Sequence, residues 1–117
     1  MKNTEKKINY WRQIDPQEII SLHAESNYTT LLLKNGKSLM VSICLKELEK
    51  RLSKNGNTHY LRVSRSVLVN VQFIADANYN LGNSHIILTN NEEVPISRRK
   101  RLQIKSKMKQ LSMAIPR

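Results

Sequence analysis

Apolar residues in this chain come in short β-prone runs, most of them closed by a turn-forming pair, and that pattern favours short antiparallel strands. Thr29 to Leu33 and Ser38 to Ser42 are two such runs, separated by Lys34-Asn35-Gly36-Lys37. Asn and Gly both tolerate the positive φ of a two-residue hairpin turn, so the pair predicts an antiparallel hairpin. Glu18 to Ala24 reads as an earlier strand in which Leu22 and Ala24 alternate with His23, whose side chain then points the other way. Beyond Tyr60, Val67, Val69 and Val71 recur at period two, with Leu68 making the run mostly apolar. Ile86 to Leu88 and Val94 to Ile96 form a second hairpin around Asn90-Asn91. Pro95 has no N–H to give a ladder, so its strand belongs at an edge or carries a bulge.

Two segments break this pattern. In residues 43–54, Leu45, Leu48 and Leu52 recur at helical spacing, with Glu47, Glu49, Lys46, Lys50 and Arg51 facing outward. Ser42 reads as its N-cap, and Asn55-Gly56 can end it in a left-handed turn. A leucine stripe of this length is core that covers one face of a sheet. From Ser97 the chain can be helical again, with Ile104, Met108 and Leu111 on one side and Lys and Arg elsewhere. A chain of 117 residues holds one modest core and no repeated strand–helix–strand crossovers. The expected fold is therefore mainly β, with one central helix at about 43–54 and a basic C-terminal helix. Residues 1–13 read as a polar, basic lead, 14–105 as the domain, and 106–117 as a basic extension that is helical at its start.

Charge narrows the function. Twenty Lys and Arg stand against nine Asp and Glu, a formal +11, and a polyanion is the partner class that such a balance attracts. The excess is concentrated: residues 51–117 carry twelve basic and three acidic side chains, and residues 98–117 carry eight basic and none acidic. Catalysis finds little support. His23, His59 and His85 lie too far apart for a metal-binding motif, and Gly36, Gly56 and Gly82 are isolated, so no phosphate-cradling loop exists. No base partners the hydroxyls of Ser64-Arg65-Ser66 by spacing, and Cys44, the lone cysteine, falls in the apolar start of the helix as a buried structural thiol. No enzyme, cofactor or metal is expected. The start, MKNTEKKINYW, lacks the apolar stretch of a signal peptide, and no window reaches the ~20 apolar residues of a membrane span, which points to the cytoplasm. One Trp, one Phe and four Tyr offer few stacking platforms for single strands and favour a duplex.

Within the basic half, Arg62 and Arg65 sit in the polar cluster RVSRS between apolar stretches. Guanidiniums projecting from such a loop can meet phosphates or guanine edges, and Ser64 and Ser66 can donate to phosphate. The alternative for either arginine is a structural carboxylate such as Glu25. Arg98, Arg99, Lys100 and Arg101 follow Ser97 at a helix start, where free backbone N–H groups add to the attraction for phosphate. Asn27 and Tyr28 precede the first hairpin strand; Asn27 can equally cap a turn and Tyr28 can equally be core.

Four segments in order resemble the LytTR family of bacterial DNA-binding domains, from about residue 14 to 105. IISLHAESNYTTLLLKNGKSL is similar to the family opening, CLKELEKRL to its leucine-striped helix, YLRVSRSVLVNVQFI to its R-V-H-R-S-Y-L-V-N signature, and EVPISRRK to its closing I-P-V-S-R segment. The chain departs at Ser64, where the signature has histidine, at Ala24-Glu25, where the order is reversed, and at Ser26, where glycine is usual. The resemblance implies ten short strands in antiparallel sheets with a small helix, and loops that enter successive major grooves and bend the duplex. It implies that Asn27, Arg65 and Arg98 read bases. Arg62, Ser64, Ser66, Arg99 and Arg101 then contact phosphate or support the loops, and Leu68, Val69, Asn70 and Val71 hold the Arg65 loop in place. Double-stranded DNA is the expected partner, with two copies on direct-repeat sites, and the expected role is sequence-specific regulation of transcription. The alternative is a protein-interaction or antagonist module that acts on a partner regulator or membrane protein. Structured RNA, a third reading, rests on basicity alone.

Overall fold

In the computed structural model, which describes residues 14–54 and 59–114, the first apolar runs form a meander of β1 (Ile19–Glu25), β2 (Tyr28–Leu33) and β3 (Ser38–Val41). The hairpin at Asn35-Gly36 is present, but its loop is the three-residue kind. Leu33 N–H donates to the Lys37 carbonyl at 2.8 Å and Gly36 N–H to the Leu33 carbonyl at 3.0 Å. Only Gly36 is left-handed, at φ +89°, whereas Asn35 uses its side-chain oxygen to accept from Lys37 N–H at 2.9 Å. A turn followed by one left-handed residue replaces the expected two-residue turn.

The chain then adds β4 (Tyr60–Ser64) and β5 (Val67–Asn70) to the other side of β1, giving a five-stranded antiparallel sheet in the order β3-β2-β1-β5-β4. A second antiparallel sheet follows, β6 (Ile74–Asn78), β7 (His85–Leu88) and β8 (Glu93–Pro95), in the order β6-β7-β8. Pro95 lies on the edge strand, and the β7–β8 reversal places Asn91 at φ +70°. Eight strands are present among the described residues.

The mostly apolar run at Val67–Asn70 is explained by two core layers. On one face of the large sheet, α1 (Leu45–Leu52) packs Leu45, Leu48 and Leu52 against Leu22, Leu31 and Leu68. On the other face, the small sheet and α2 (Arg101–Ala114) bring Ile86, Leu88, Val94 and Ile104 against Leu61, Val63, Val69 and Val71. β5 is thus covered on both sides, and strands covered on both sides lose their alternation. Met108 and Leu111 continue the Ile104 stripe against that second layer, so α2 is one unbroken helix through residue 106.

The start of α1 corrects two expectations. Its N-cap is Cys44, with no side-chain capping bond, and Ser42 lies outside the helix. Thr29 Oγ1 donates to the Ile43 carbonyl at 2.7 Å and anchors the segment that leads into the helix, which begins only at Leu45. Cys44 is therefore exposed, not a buried core thiol, because the leucine stripe points the other way. The helix end expected at Asn55-Gly56 lies outside the described residues.

Two polar groups brace this framework. Asn70 is fully buried; its Nδ2 donates to the Ile19 carbonyl and its Oδ1 accepts from Gln72 N–H, each at 3.0 Å. The Tyr60 hydroxyl donates to the Pro16 carbonyl. Burial, with the Asp15 charge adding, pushes its pKa above the ordinary tyrosine value, so the hydroxyl keeps the proton it donates.

Candidate nucleic-acid interface

Strand direction decides which loops can act together. β1 runs antiparallel to both β2 and β5, so the β1–β2 turn and the β4–β5 turn lie at the same end of the large sheet. There Ala24 N–H donates to the Ser66 carbonyl at 2.8 Å and ties the two turns. β4 carries an irregularity in register between Arg62 and Ser64, which leaves Val63 outside the ladder. The Val63 carbonyl instead accepts from Ser97 N–H at 2.8 Å, which brings the entry to the C-terminal helix to the same end. Two backbone hydrogen bonds therefore stitch together segments that lie far apart in sequence: 26–28, 64–66 and 97–99.

Asn27, Arg65 and Arg98, the three residues that the family resemblance marks as base readers, are all exposed on these segments. Asn27 follows Ser26, which is left-handed at φ +57°. An L-residue with a β-carbon is disfavoured in that conformation, which accounts for a preference for glycine there. Tyr28 opens β2 and is 40% exposed, so it is not a core residue. The Arg65 side chain makes no hydrogen bond or ion pair among the described residues. Arg98 and Arg99 are exposed in a 3-10 turn, Arg98–Lys100, that precedes α2. Within this turn Lys100 N–H donates to the Ser97 carbonyl at 3.0 Å and Arg101 N–H to the Arg98 carbonyl, so the anion-attracting feature of the segment is its exposed guanidiniums.

Three other candidates, Arg62, Ser64 and Arg101, are occupied by the protein itself. Arg62 donates through Nε to the Ser64 carbonyl at 3.0 Å, through Nη2 to the Arg65 carbonyl at 2.7 Å, and through Nη1 to Glu49 Oε1 at 2.5 Å. A structural carboxylate does hold one arginine of the pair, but it is Glu49 rather than Glu25. Ser64 Oγ accepts from Ser66 N–H at 3.3 Å and shapes the turn. Arg101 donates through Nη1 to the Tyr79 carbonyl at 2.8 Å, joining α2 to the loop after β6, and its Nε is buried without a partner among the described residues. Ser66 stays exposed.

Sequence reasoning missed Glu49, whose place on the outward side of the leucine stripe looked like an ordinary solvated charge. It also missed a clip between the two sheets. His23 Nε2 lies 2.9 Å from Glu92 Oε2, and Ser21 Oγ donates to Glu92 Oε1 at 3.1 Å. The only signal for it was the alternation that turns Ser21 and His23 away from Leu22. Among the described residues no group of three or more His, Cys, Asp or Glu could hold a metal ion, and no helix is long and apolar enough to cross a membrane. What the stitched end offers is hydrogen-bond donors and positive charge on a rigid backbone, which is the chemistry of phosphate and base-edge recognition.

The family model of the LytTr DNA-binding domain matches residues 9–109. Among solved structures, the chain is similar in fold to the LytTr DNA-binding domain assigned to a methyl-accepting/DNA response regulator from Bacillus cereus. The two are 22% identical, superpose with a TM-score of 0.66, and the match covers 84% of each chain. No curated protein shows significant sequence similarity.

Proposed function

Because this chain belongs to the family of LytTr DNA-binding domains, non-catalytic output domains of transcription regulators, we propose that it binds duplex DNA in a sequence-specific manner through its stitched end. The observation that carries this reading is the pair of backbone bonds, Ala24 to Ser66 and Ser97 to Val63, which hold Asn27, Arg65 and Arg98 on one end with exposed side chains. Asn27, Arg65 and Arg98 read base edges in the major groove, and Arg65 and Arg98 can each make a bidentate pair with guanine. Tyr28, Ser66 and Arg99 lie beside them and contact the backbone. Arg62, Ser64 and Arg101 act from behind, since their polar atoms already serve the protein. The net charge of +11 steers the domain to DNA, and the base contacts choose the site. In this reading the chain regulates bacterial transcription in the cytoplasm, with two copies side by side on direct repeats.

The test is enrichment of the 117-residue chain's ligands from a random duplex pool across a salt series. The expected result is a consensus bound at least a thousandfold more tightly than unrelated duplex, the ordinary lower range for specific recognition. Equal binding to every duplex would sink the reading. A protein-docking role would then lead, although the exposed leucines, Leu81 and Leu102, amount to no more than the scattered apolar residues of ordinary surfaces.

A further inference from the structure

We propose that Arg62, held by Glu49 of α1, is a positioning residue that sets the β4–β5 turn and so aims Arg65; this rests on the base-reading role proposed above for Arg65. Tyr60 and Arg62 alternate with Leu61 and Val63 along β4, so Arg62 faces the α1 side of the sheet while Leu61 and Val63 enter the other core layer. From there its guanidinium curls over the turn. The carbonyls of three consecutive residues are then all bound internally: Ser64 by Arg62 Nε, Arg65 by Arg62 Nη2, and Ser66 by Ala24 N–H.

The consequences are geometric and electrostatic. A turn whose successive carbonyls are held has little freedom in its peptide planes, so the direction of the Arg65 Cα–Cβ bond is fixed before DNA arrives. Preorganisation of this kind lowers the entropic cost of a base contact. Binding the carbonyl oxygens internally also keeps them from approaching phosphates, which they would repel. Glu49 supplies the third restraint: with Nη1 on its carboxylate, the guanidinium cannot rotate away from the two carbonyls. The fork of a guanidinium is needed because several planar donors must diverge from one group, and a lysine ammonium is a point charge without that fixed geometry.

R62K tests this in the full chain, because it keeps the charge and removes the fork. R62K is expected to lose about tenfold or more in preference for the selected duplex over a scrambled one. Its salt slope is expected to stay unchanged, since no charge is lost. R65A is expected to lose the same preference, and R62K/R65A to be little worse than either alone. E49A, which frees the guanidinium, should shift preference in the same direction by less. A second arm needs no DNA: in the free protein the Ala24 amide, bonded to Ser66, should exchange with solvent faster in R62K than in wild type. The proposal is overturned if R62K discriminates within about twofold of wild type, or if the R62K and R65A losses multiply as independent sites do. Should wild type show no sequence preference, the base-reading role itself fails, and Ala24 exchange alone decides whether Arg62 holds the turn: unchanged exchange overturns that hold.

Discussion

Arg65→Ala is expected to lower discrimination between a selected and a scrambled duplex by about 5- to 150-fold, the range that about 1–3 kcal/mol for a good bidentate base contact implies. The expectation follows from how little else Arg65 does. Its side chain is exposed and makes no bond within the described protein, so removing it should leave folding nearly unchanged. Its carbonyl, which Arg62 holds, remains in the variant. Binding to scrambled duplex should weaken by no more than one charge, a change of at most about 0.9 in the salt slope. Arg99→Ala provides the contrast: as a phosphate contact it should weaken all duplexes together and leave discrimination intact. Competition binding at several salt concentrations separates the two. A uniform loss for Arg65→Ala would move Arg65 from the bases to the backbone.

The largest effect on stability is expected at Asn70 rather than at any arginine. Asn70→Leu fits an apolar side chain into a fully buried position but leaves the buried Ile19 carbonyl without that partner and removes the side-chain cap from the part-buried Gln72 N–H. At about 1–3 kcal/mol for the buried carbonyl left unsatisfied and about 0.5–2 kcal/mol for the lost cap, the loss should reach roughly 2–5 kcal/mol. That is a large part of the stability of an ordinary domain, about 5–15 kcal/mol. Thermal unfolding should show a fall in Tm on the order of 10–20 °C. Leu102→Ala, at a position that is 62% exposed, should change stability by no more than about 0.5 kcal/mol. A Tm for Asn70→Leu within a few degrees of wild type would mean that the large sheet does not depend on this bridge between β1 and the turn after β5. The same variant should also weaken DNA selectivity, because Asn70 ends the strand that begins at the Arg65 turn.

Much of the architecture was legible because local signals agreed with one another. The leucine stripe of α1, the Asn-Gly and Asn-Asn reversals, and Pro95 on an edge strand each follow from a short stretch of chain. Leu68 between Val67 and Val69 was legible as a mostly apolar run; its cause, cover on both faces of β5, emerges only with the fold. The details that escaped depend on contacts distant in sequence. Whether Cys44 is buried depends on where α1 begins, and the segment before that start is anchored by a bond from Thr29 to Ile43, fourteen residues away in sequence. That Glu49 rather than Glu25 meets Arg62 depends on α1 packing over β1 and β5, from where Glu49 reaches Arg62 on β4, which no spacing reveals. The clip of Ser21 and His23 on Glu92 joins residues 71 apart in one of its bonds. For the candidate interface, exposure and charge were readable in the chain, but the division between arginines free to face DNA and arginines engaged internally was not. Arg62 and Arg65 are indistinguishable within RVSRS; only the fold turns one inward and leaves the other outside.

The most direct measurement is a map of the DNA-contacting surface on the protein: backbone-amide and arginine side-chain NMR shifts of the full chain, titrated with the duplex it selects. The largest changes should fall together on residues 26–28, 64–66 and 97–99, with the Arg65 and Arg98 guanidinium signals slowing their exchange on binding. Arg62 and Arg101 should already be protected in the free protein and change little. Shifts centred instead on the Lys34–Lys37 turn at the opposite end of the sheet, or on the exposed side of α1, would contradict the account.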